Sequence, residues 1–156
     1  LLDHPEHKVN GLNILGRVCM MQENLDEARE YFEQASTEFP QNADALNNLG
    51  TLYFREKDYT RAREYFLRAV KNAPDHPYAH YHLAKIFMLE KNLEGAVQEL
   101  ELAMKNGSGD PDIVLDWGLV LSLQGRQKEV LEVYGRLKEL DANKAEVLFD
   151  EIYSKK

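Results

Sequence analysis

Several features are scarce in this 156-residue sequence, and each scarcity removes a class of protein. Cys19 is the only cysteine, so no internal disulfide can form. The longest apolar stretch, Ile113 to Leu123, is interrupted by Asp116 and is far shorter than the roughly 20 residues that span a bilayer, so we expect no membrane insertion. The net charge of −8 argues against nucleic-acid binding, which needs a basic stripe to contact phosphates.

Residue sets typical of catalysis or of metal and cofactor binding are also missing. His76 and His80 lie four residues apart with His82 nearby, but no convergent carboxylate accompanies them, and His80 occupies a place that leucine holds in other parts of the chain. Glu99 and Glu101 lie on opposite sides of a predicted helix, which makes joint acid–base work implausible. The sequence therefore predicts no enzyme, no metal and no cofactor.

One glycine-rich stretch, Asn106 to Gly109, resembles a phosphate-binding loop only superficially. It lacks the Lys-Ser/Thr ending and the preceding strand of a P-loop, so we interpret it as a loop between two structural units. Cys19 is interpreted as a buried, small apolar residue because Tyr53, Phe87 and Leu121 hold the same place elsewhere.

What the sequence has is an internal repeat with a spacing of 34 residues. Gly16, Gly50 and Gly118 fall in step at this spacing, with Ala84 in the remaining place. Small and large apolar residues at fixed offsets over such a period are typical of a solenoid, whose units bury their faces against neighbours. The other residues in step are Leu12, Leu46; Leu15, Leu49, Leu83; Ala28, Ala62, Ala96; Phe32, Phe66; Ala35, Ala69, Ala103; and Pro40, Pro74.

Within each unit the apolar residues recur at three- and four-residue steps, which predicts two helices per unit. The units span 9–42, 43–76, 77–110 and 111–144, and we expect them to form a single domain over 1–156. First helices are predicted near 9–22, 43–56, 77–90 and 111–124, and second helices near 25–38, 59–72, 93–106 and 127–140. The polar pairs Glu23-Asn24, Lys57-Asp58, Lys91-Asn92 and Gly125-Arg126 are predicted turns, in which Asn, Asp and Gly tolerate left-handed backbone.

Close packing within each hairpin requires small side chains on both helices. We expect the small residues of the first helices to face those of the second: Gly16, Gly50, Ala84 and Gly118 against Ala28, Ala62, Ala96 and Val130. Residues 145–156 restart the pattern, with Val147, Leu148 and Ile152 on one side, and are expected to form a C-terminal capping helix. Leu1 to Pro5 resembles the end of a preceding second helix, which favours a piece of a longer array.

These residues resemble a known family, the tetratricopeptide repeat. The segment Ala43 to Tyr53, followed by Tyr59, Ala62, Tyr65, Phe66, Ala69 and Pro74, is similar to the family signature at nearly every place. The resemblance covers 9–144 and fades in the last unit, where Val130, Tyr134, Leu137 and Ala142 replace the expected residues. It implies an all-α fold: a right-handed α-solenoid of four tandem helix-turn-helix repeats plus the capping helix.

The resemblance also implies a use, because the first helices of such arrays line a concave groove that holds a peptide or helix of a partner protein. Asparagines can both donate to and accept from an extended backbone, tyrosines offer amphipathic area, and methionine and phenylalanine form an adaptable apolar row. The bland alternative is that these side chains are merely solvated or packed. The candidate groove residues are Asn13, Arg17, Asn47, Asn48, Thr51, Phe54, Tyr78, Tyr81, His82, Lys85 and Met88.

One well-known form of this groove clamps the C-terminal carboxylates of cytosolic chaperones. Of the corresponding residues Asn13, Arg17, Asn48, Tyr78 and His82, only Asn48 matches in type, so we do not expect chaperone-tail binding.

The expected function is a non-enzymatic scaffold or adaptor, with a cytoplasmic location favoured. Two alternatives stay open: the recognition arm of a larger enzyme of glycosyltransferase or peptidyl-prolyl isomerase type, and a homo-oligomer built on the apolar stripe of Leu115, Leu119 and Leu123.

Overall fold

The computed structural model describes residues 5–106 and 109–153, and these residues form nine α-helices and no strand. The all-α fold class, built from consecutive packed helix pairs, is confirmed; the handedness of the array and the number of repeats stay predictions. Residues 1–4, 107, 108 and 154–156, which include parts of the predicted N-terminal, glycine-rich and C-terminal segments, lie outside the described residues. The helices are α1 (Pro5–Met21), α2 (Leu25–Glu38), α3 (Ala43–Arg55), α4 (Tyr59–Asn72), α5 (Pro77–Leu89), α6 (Leu93–Lys105), α7 (Pro111–Leu123), α8 (Gln127–Leu140) and α9 (Ala142–Tyr153).

The predicted helix boundaries agree with the structure to within one residue, except at the two ends of the chain. Among the described residues, the first helix is already formed at Pro5, four residues before the predicted start, and a proline is well accommodated in the first turn of a helix. The last helix begins at Ala142 rather than 145. Asp141 explains this earlier start, since its Oδ1 accepts a hydrogen bond from the backbone N–H of Lys144 at 3.1 Å and so caps the helix.

The chain divides into two compact units, Leu1–His82 and Leu83–Lys156, and α5 contributes residues to both. In the first unit, α1 packs against α2, α3 packs against α4, and α3 also contacts α1 and α2. In the second unit, α7 contacts α6, α8 and α9, and α8 contacts α9. The organisation as a single domain stays a prediction.

The turn inside each hairpin uses one residue with left-handed backbone, and only at Gly125 is it a residue type that was expected. Glu23, Lys57 and Lys91 have φ values of 62°, 63° and 59°, and Gly125 has a φ of 73°. Asp58 and Asn92, which follow two of these residues, cap the next helix instead: Asp58 Oδ1 accepts from the backbone N–H of Arg61 at 2.9 Å, and Asn92 Oδ1 accepts from that of Gly95 at 3.0 Å. Asn24 accepts no cap hydrogen bond. The expectation that Asn and Asp adopt the left-handed conformation was therefore wrong, and at Asp58 and Asn92 the side chain serves as a helix cap.

The glycines in step at 34 residues make room for large side chains rather than small ones. A Cβ atom placed on Gly50 would lie 2.6 Å from Cε1 of the Phe66 ring, and one on Gly16 would collide with the Phe32 ring. On Gly118 it would lie 2.7 Å from Cδ2 of Leu148, in α9. The expectation that small residues face small residues is thus corrected: each glycine receives a bulky side chain, and the phenylalanines fill the space that the missing Cβ leaves.

The C-terminal helix buries part of the surface that was predicted for it. Leu148 is fully buried and Ile152 is half-buried, but Val147 is 53% exposed, so it does not lie on the packed side as expected. In α7, Leu115 and Leu119 are half-buried, whereas Leu123 is 60% exposed. The predicted apolar stripe is therefore only partly covered within the second unit.

Candidate functional site

A groove of the first unit lies where the inward faces of α1 and α3 meet the start of α5. Its volume is about 620 Å³. Its position follows from the repeat, because residues 34 apart on α1 and α3 take equivalent places on neighbouring helices. It is lined by Asn10, Asn13, Ile14, Arg17, Met20, Asp44, Asn47, Asn48, Thr51, His76, Tyr78 and His82.

Most of the residues predicted from the sequence line this groove, and four do not. The residues in the lining are Asn13, Arg17, Asn47, Asn48, Thr51, Tyr78 and His82. Phe54 packs edge-on against Tyr59, with ring centroids 5.2 Å apart, and the Tyr81 ring lies 5.5 Å from that of His82. Lys85 and Met88 are half-buried residues of the second unit.

Five residues of the groove are not among the candidates named from the sequence: Asn10, Ile14, Met20, Asp44 and His76. The sequence carried a signal for His76, because Asn42, His76 and Asp110 hold the same place in successive units, immediately before or at the start of a first helix. All three act as caps, and His76 Nδ1 accepts from the backbone N–H of Ala79 at 3.0 Å. From the sequence, His76 was considered only as a metal ligand, which was rejected, and not as a helix cap.

Three asparagines in the first unit form a chain of side-chain hydrogen bonds. Asn42 Oδ1 accepts from the backbone N–H of Ala45 at 2.8 Å, which fixes the orientation of its amide. Asn13 Nδ2 then donates to Asn42 Oδ1 at 3.5 Å, and Asn48 Nδ2 donates to Asn13 Oδ1 at 3.2 Å. These hydrogen bonds fix the orientation of all three side-chain amides and leave Oδ1 of Asn48, at the groove, as an acceptor.

Asn47, in contrast, is buried without satisfying its side chain. The residue is only 7% exposed, and its Oδ1 has no hydrogen-bond partner among the described residues. A buried polar atom without a partner costs about 1–3 kcal/mol of desolvation. Its neighbour Thr51 does not relieve this cost, since the hydroxyl donates to the backbone carbonyl of Asn47 at 2.8 Å rather than to its side chain.

His76 and Asp44 are joined at the mouth of the groove. Because Nδ1 of His76 accepts from Ala79, the hydrogen of a neutral imidazole lies on Nε2, which donates to Asp44 Oδ1 at 3.1 Å. This hydrogen bond is the main cause that lowers the pKa of the Asp44 carboxyl below its ordinary value; burial opposes it and the charge of Arg17 adds to it. With both nitrogens engaged, His76 is occupied as a structural cap.

Arg17 provides positive charge on the α1 side of the groove. Its side chain is exposed and forms no hydrogen bond or ion pair with the described residues, although its charge reaches Asp44. In the neighbouring hairpin, Arg55 is used differently: Nη1 donates to the backbone carbonyl of Met20 at 2.9 Å and Nη2 to Glu23 at 2.7 Å. Arg17 is therefore a guanidinium whose donors remain available to an anion, whereas Arg55 holds the end of α1.

The aromatic residues at the α5 side of the groove are fixed by stacking. The His82 ring stacks on Phe66 with centroids 4.9 Å apart and an interplanar angle of 21°. Phe66 is itself fully buried against Gly50, so the groove wall is continuous with the core of the α3–α4 hairpin. Local packing thus holds this wall in place before any ligand binds.

Other groups considered for chemistry are held in structural roles. Cys19 is buried and its Sγ donates to Glu27 at 3.7 Å, and burial together with this carboxylate raises the pKa of the thiol. His80 is buried and its Nε2 lies 2.9 Å from the carbonyl oxygen of Pro74. Over the described ranges 5–106 and 109–153, no three His, Cys, Asp or Glu residues are grouped as metal ligands. No helix in those ranges has the length and apolar character needed to cross a membrane.

Solved structures with the same fold include proteins that bind peptides. The crystal structure of the APC/C hetero-tetramer Cut9-Hcn1 aligns with a TM-score of 0.81 and 17% identity over 94% of this chain and 30% of that one. YrrB, a protein with an unusual peptide-binding site, aligns with a TM-score of 0.68 and 19% identity over 90% of this chain and 76% of that one. The first repeat domain of Spaghetti (RPAP3), bound to an HSP90 peptide, aligns at 0.67 and 19% identity, over 76% and 94%.

The sequence itself also matches a family. No curated protein sequence matches this chain. A family model of the tetratricopeptide repeat matches residues 15–77 and, overlapping them, residues 58–111. These matches cover more than half of the chain, including all of the second and third predicted units and most of the first. The packed helical hairpins and the 34-residue spacing have the same origin: the chain belongs to the tetratricopeptide-repeat family.

Proposed function

We propose that the groove of the first unit binds a segment of another protein and that this chain is a non-catalytic scaffold or adaptor. The observation that carries the proposal is Asn47, a buried amide that lines the groove and lacks a hydrogen-bond partner. Native proteins leave few such groups unsatisfied, and those that exist ask for a functional reason. A ligand that donates a hydrogen bond to Asn47 supplies that reason.

Three further features support a polypeptide ligand. Asn48 offers an acceptor at the end of the amide chain, Arg17 offers charged donors, and Ile14 offers apolar area that is 59% exposed. This mixture of a few placed polar groups with apolar surface suits a peptide, whose backbone and side chains need both. The structural neighbours YrrB and Spaghetti bind peptides on the same fold, which is consistent with this use.

Site-specific photo-crosslinking tests the proposal directly. A photoreactive phenylalanine analogue replaces Ile14, in the groove, and in a matched control it replaces Leu67, which is 51% exposed on α4 and outside the groove. After irradiation in native extract, mass spectrometry identifies the crosslinked peptides. We expect one recurring partner segment from position 14, lost when Asn48 is changed to Ala and Arg17 to Gln. The same crosslinks from both positions, or none from position 14, contradict groove binding.

Self-association is a second candidate, favoured by the exposure of Leu123 and of Phe149 in the second unit. Scattered apolar residues at a surface are ordinary, but several on one unit favour contact with another chain. Sedimentation velocity over a range of concentrations separates the two cases. A species that grows with concentration and returns to a monomer on Leu123→Glu supports self-association, and a strict monomer removes it.

A further inference from the structure

We propose that the segment bound in the first-unit groove is extended and carries an acidic side chain that pairs with Arg17, while one of its backbone N–H groups donates to Asn47. This inference rests on the proposed function and specifies its ligand. It names a chemistry that differs from capture of a chain terminus, because an internal acidic side chain serves as the anion.

The extended conformation follows from what Asn47 requires. Its Oδ1 needs a hydrogen-bond donor, since the atom is buried and unsatisfied. The backbone N–H groups of a helix are already bonded within the helix beyond its first turn, whereas an extended segment presents free N–H groups along its length. A second acceptor, Oδ1 of Asn48 on the same helix, suits a further donor of the same segment.

The acidic side chain follows from the charges that face the groove. Asp44 already accepts from Nε2 of His76, and the field of Arg17 lowers its pKa further. Arg17 itself is engaged by no hydrogen bond or ion pair with the described residues, so its donors are the charged groups left for a ligand. A guanidinium binds a carboxylate through two parallel hydrogen bonds, which gives charge selection as well as position.

An apolar residue of the same segment lies next to the acid in this arrangement. Ile14 and Met20 are on the same helix as Arg17 and line the same groove, with Ile14 exposed and Met20 half-buried. Methionine adapts its shape to different partners, so this contact selects an apolar residue in the bound segment rather than one particular side chain. The ligand class is therefore an extended segment with an acidic residue flanked by an apolar one.

Binding of three matched peptides to the full chain tests the inference. The peptides are acetylated and amidated nonapeptides that share one leucine and differ only at the central residue: glutamate, glutamine or lysine. Both end groups are blocked, so a terminal carboxylate plays no part. Backbone and side-chain amide signals of the ¹⁵N-labelled protein report binding. We expect the glutamate peptide to bind about tenfold more tightly than the glutamine peptide, as hydrogen bonds to a charged group allow, and the lysine peptide to bind most weakly.

Three variants assign the effect to its residues. Arg17→Gln is expected to remove the preference for glutamate over glutamine, whereas Arg136→Gln, an exposed arginine on α8, makes the same change in net charge and is expected to preserve it. Asn47→Leu is expected to weaken all three peptides about equally and not to lower the thermal midpoint. In the unchanged protein the side-chain amide signal of Asn47 is expected to move on binding.

The outcomes separate the inference from the proposed function. Equal affinity for the three peptides, or a glutamate preference that survives Arg17→Gln, overturns the acidic ligand and leaves groove binding in place. Peptide affinity that survives Asn47→Leu overturns the role given to that amide. Absence of any shift with all three peptides, together with failure of the crosslink from position 14, overturns both proposals.

Discussion

The two hairpins of the first unit, α1–α2 and α3–α4, carry nearly the same pattern of residues but are buried very differently. Leu49 and Leu52 of α3 are completely buried, whereas Leu15 and Val18, which hold the same places on α1, are 47% and 43% exposed. The burial differs because α3 packs against α1 and α2 as well as against α4, the other helix of its hairpin. The comparison teaches that in a repeat array the sequence defines a face, and the neighbouring hairpin decides whether that face is buried.

The two hairpins are expected to differ most in the stability that is lost when equivalent leucines are changed to alanine. Leu49→Ala leaves a cavity in a fully packed site and is expected to lower the free energy of unfolding by about 2–5 kcal/mol. Leu15→Ala removes a side chain that is already half exposed, so a loss of less than about 1.5 kcal/mol is expected. Urea denaturation of both variants measures this. Equal losses would mean that α1 is as well covered as α3.

Replacing a glycine by alanine is expected to change the free energy of unfolding in opposite directions on α3 and on α1. Gly50→Ala places its Cβ against the Phe66 ring, and overpacking of this kind costs about 1–3 kcal/mol. Gly11, on α1, takes the place that the buried Ala45 has on α3, and a Cβ there meets nothing within 4 Å. Gly11→Ala is therefore expected to stabilise by about 0.5–1 kcal/mol through helix propensity. Thermal unfolding of the two variants gives the signs, and stabilisation by Gly50→Ala would refute the close approach of the phenylalanine.

Two equally buried asparagines offer a comparison of satisfied and unsatisfied amides. Asn13 and Asn47 hold the same place on α1 and α3 and are each 7% exposed, but only Asn13 is hydrogen-bonded through its side chain to Asn42 and Asn48. Asn13→Leu is expected to cost about 1–2 kcal/mol because it leaves Asn48 without its acceptor. Asn47→Leu removes an unsatisfied polar group and is expected to stabilise by about 1 kcal/mol.

Chemical denaturation of the two asparagine variants, with the ligand absent, is the measurement. The reason for keeping Asn47 at a cost in stability would be its role in binding, as at many functional sites. Destabilisation by Asn47→Leu would show that this amide has a structural partner in solution, and the argument for a ligand donor would fail.

The smallest effect concerns the caps of the two second helices. The backbone N–H of Arg61, and then its side chain, lower the pKa of the Asp58 carboxyl, whereas Asn24 at the same place before α2 makes no side-chain cap. A depressed pKa means stability that is present above the unfolded-state pKa of about 3.9 and is lost as pH falls through the folded value. We expect the stability advantage of the parent chain over Asp58→Asn at pH 7 to shrink as the pH falls below about 3.9.

Asn24→Ala is the matched control for this titration, and it is expected to change stability little at any pH because Asn24 accepts no cap hydrogen bond. Unfolding by urea at several pH values, with both variants beside the parent chain, measures the difference. If the parent chain stays more stable than Asp58→Asn by the same amount down to pH 2, the carboxylate charge has no part in capping α4.

Much of the helical architecture was predictable because its signals are local. The second helices Leu25–Glu38, Tyr59–Asn72 and Gln127–Leu140 agree with the predicted limits, since apolar periodicity and polar turns mark both ends. The errors also have local causes, as with Asp141, whose cap starts α9 three residues early. Most predicted groove residues were found together because the repeat spacing already places them on equivalent faces.

Features that depend on contacts distant in the sequence were missed. The sequence shows Gly50 and Phe66 in step with Gly16 and Phe32, but it does not show that the ring occupies the space of the absent Cβ. Nor does it distinguish Asn13 from Asn47, whose neighbours differ only after α1, α3 and the Asn42 cap have been brought together.

The sequence by itself determined the 34-residue spacing, the helices and the positions of the turns between them, because helical periodicity and capping act over a few residues. Only the tertiary structure decided which equivalent residues are buried, which amides are satisfied and where the groove lies. The physical reason is that burial and hydrogen-bond satisfaction belong to the space between helices, and that space exists only once neighbouring hairpins have packed.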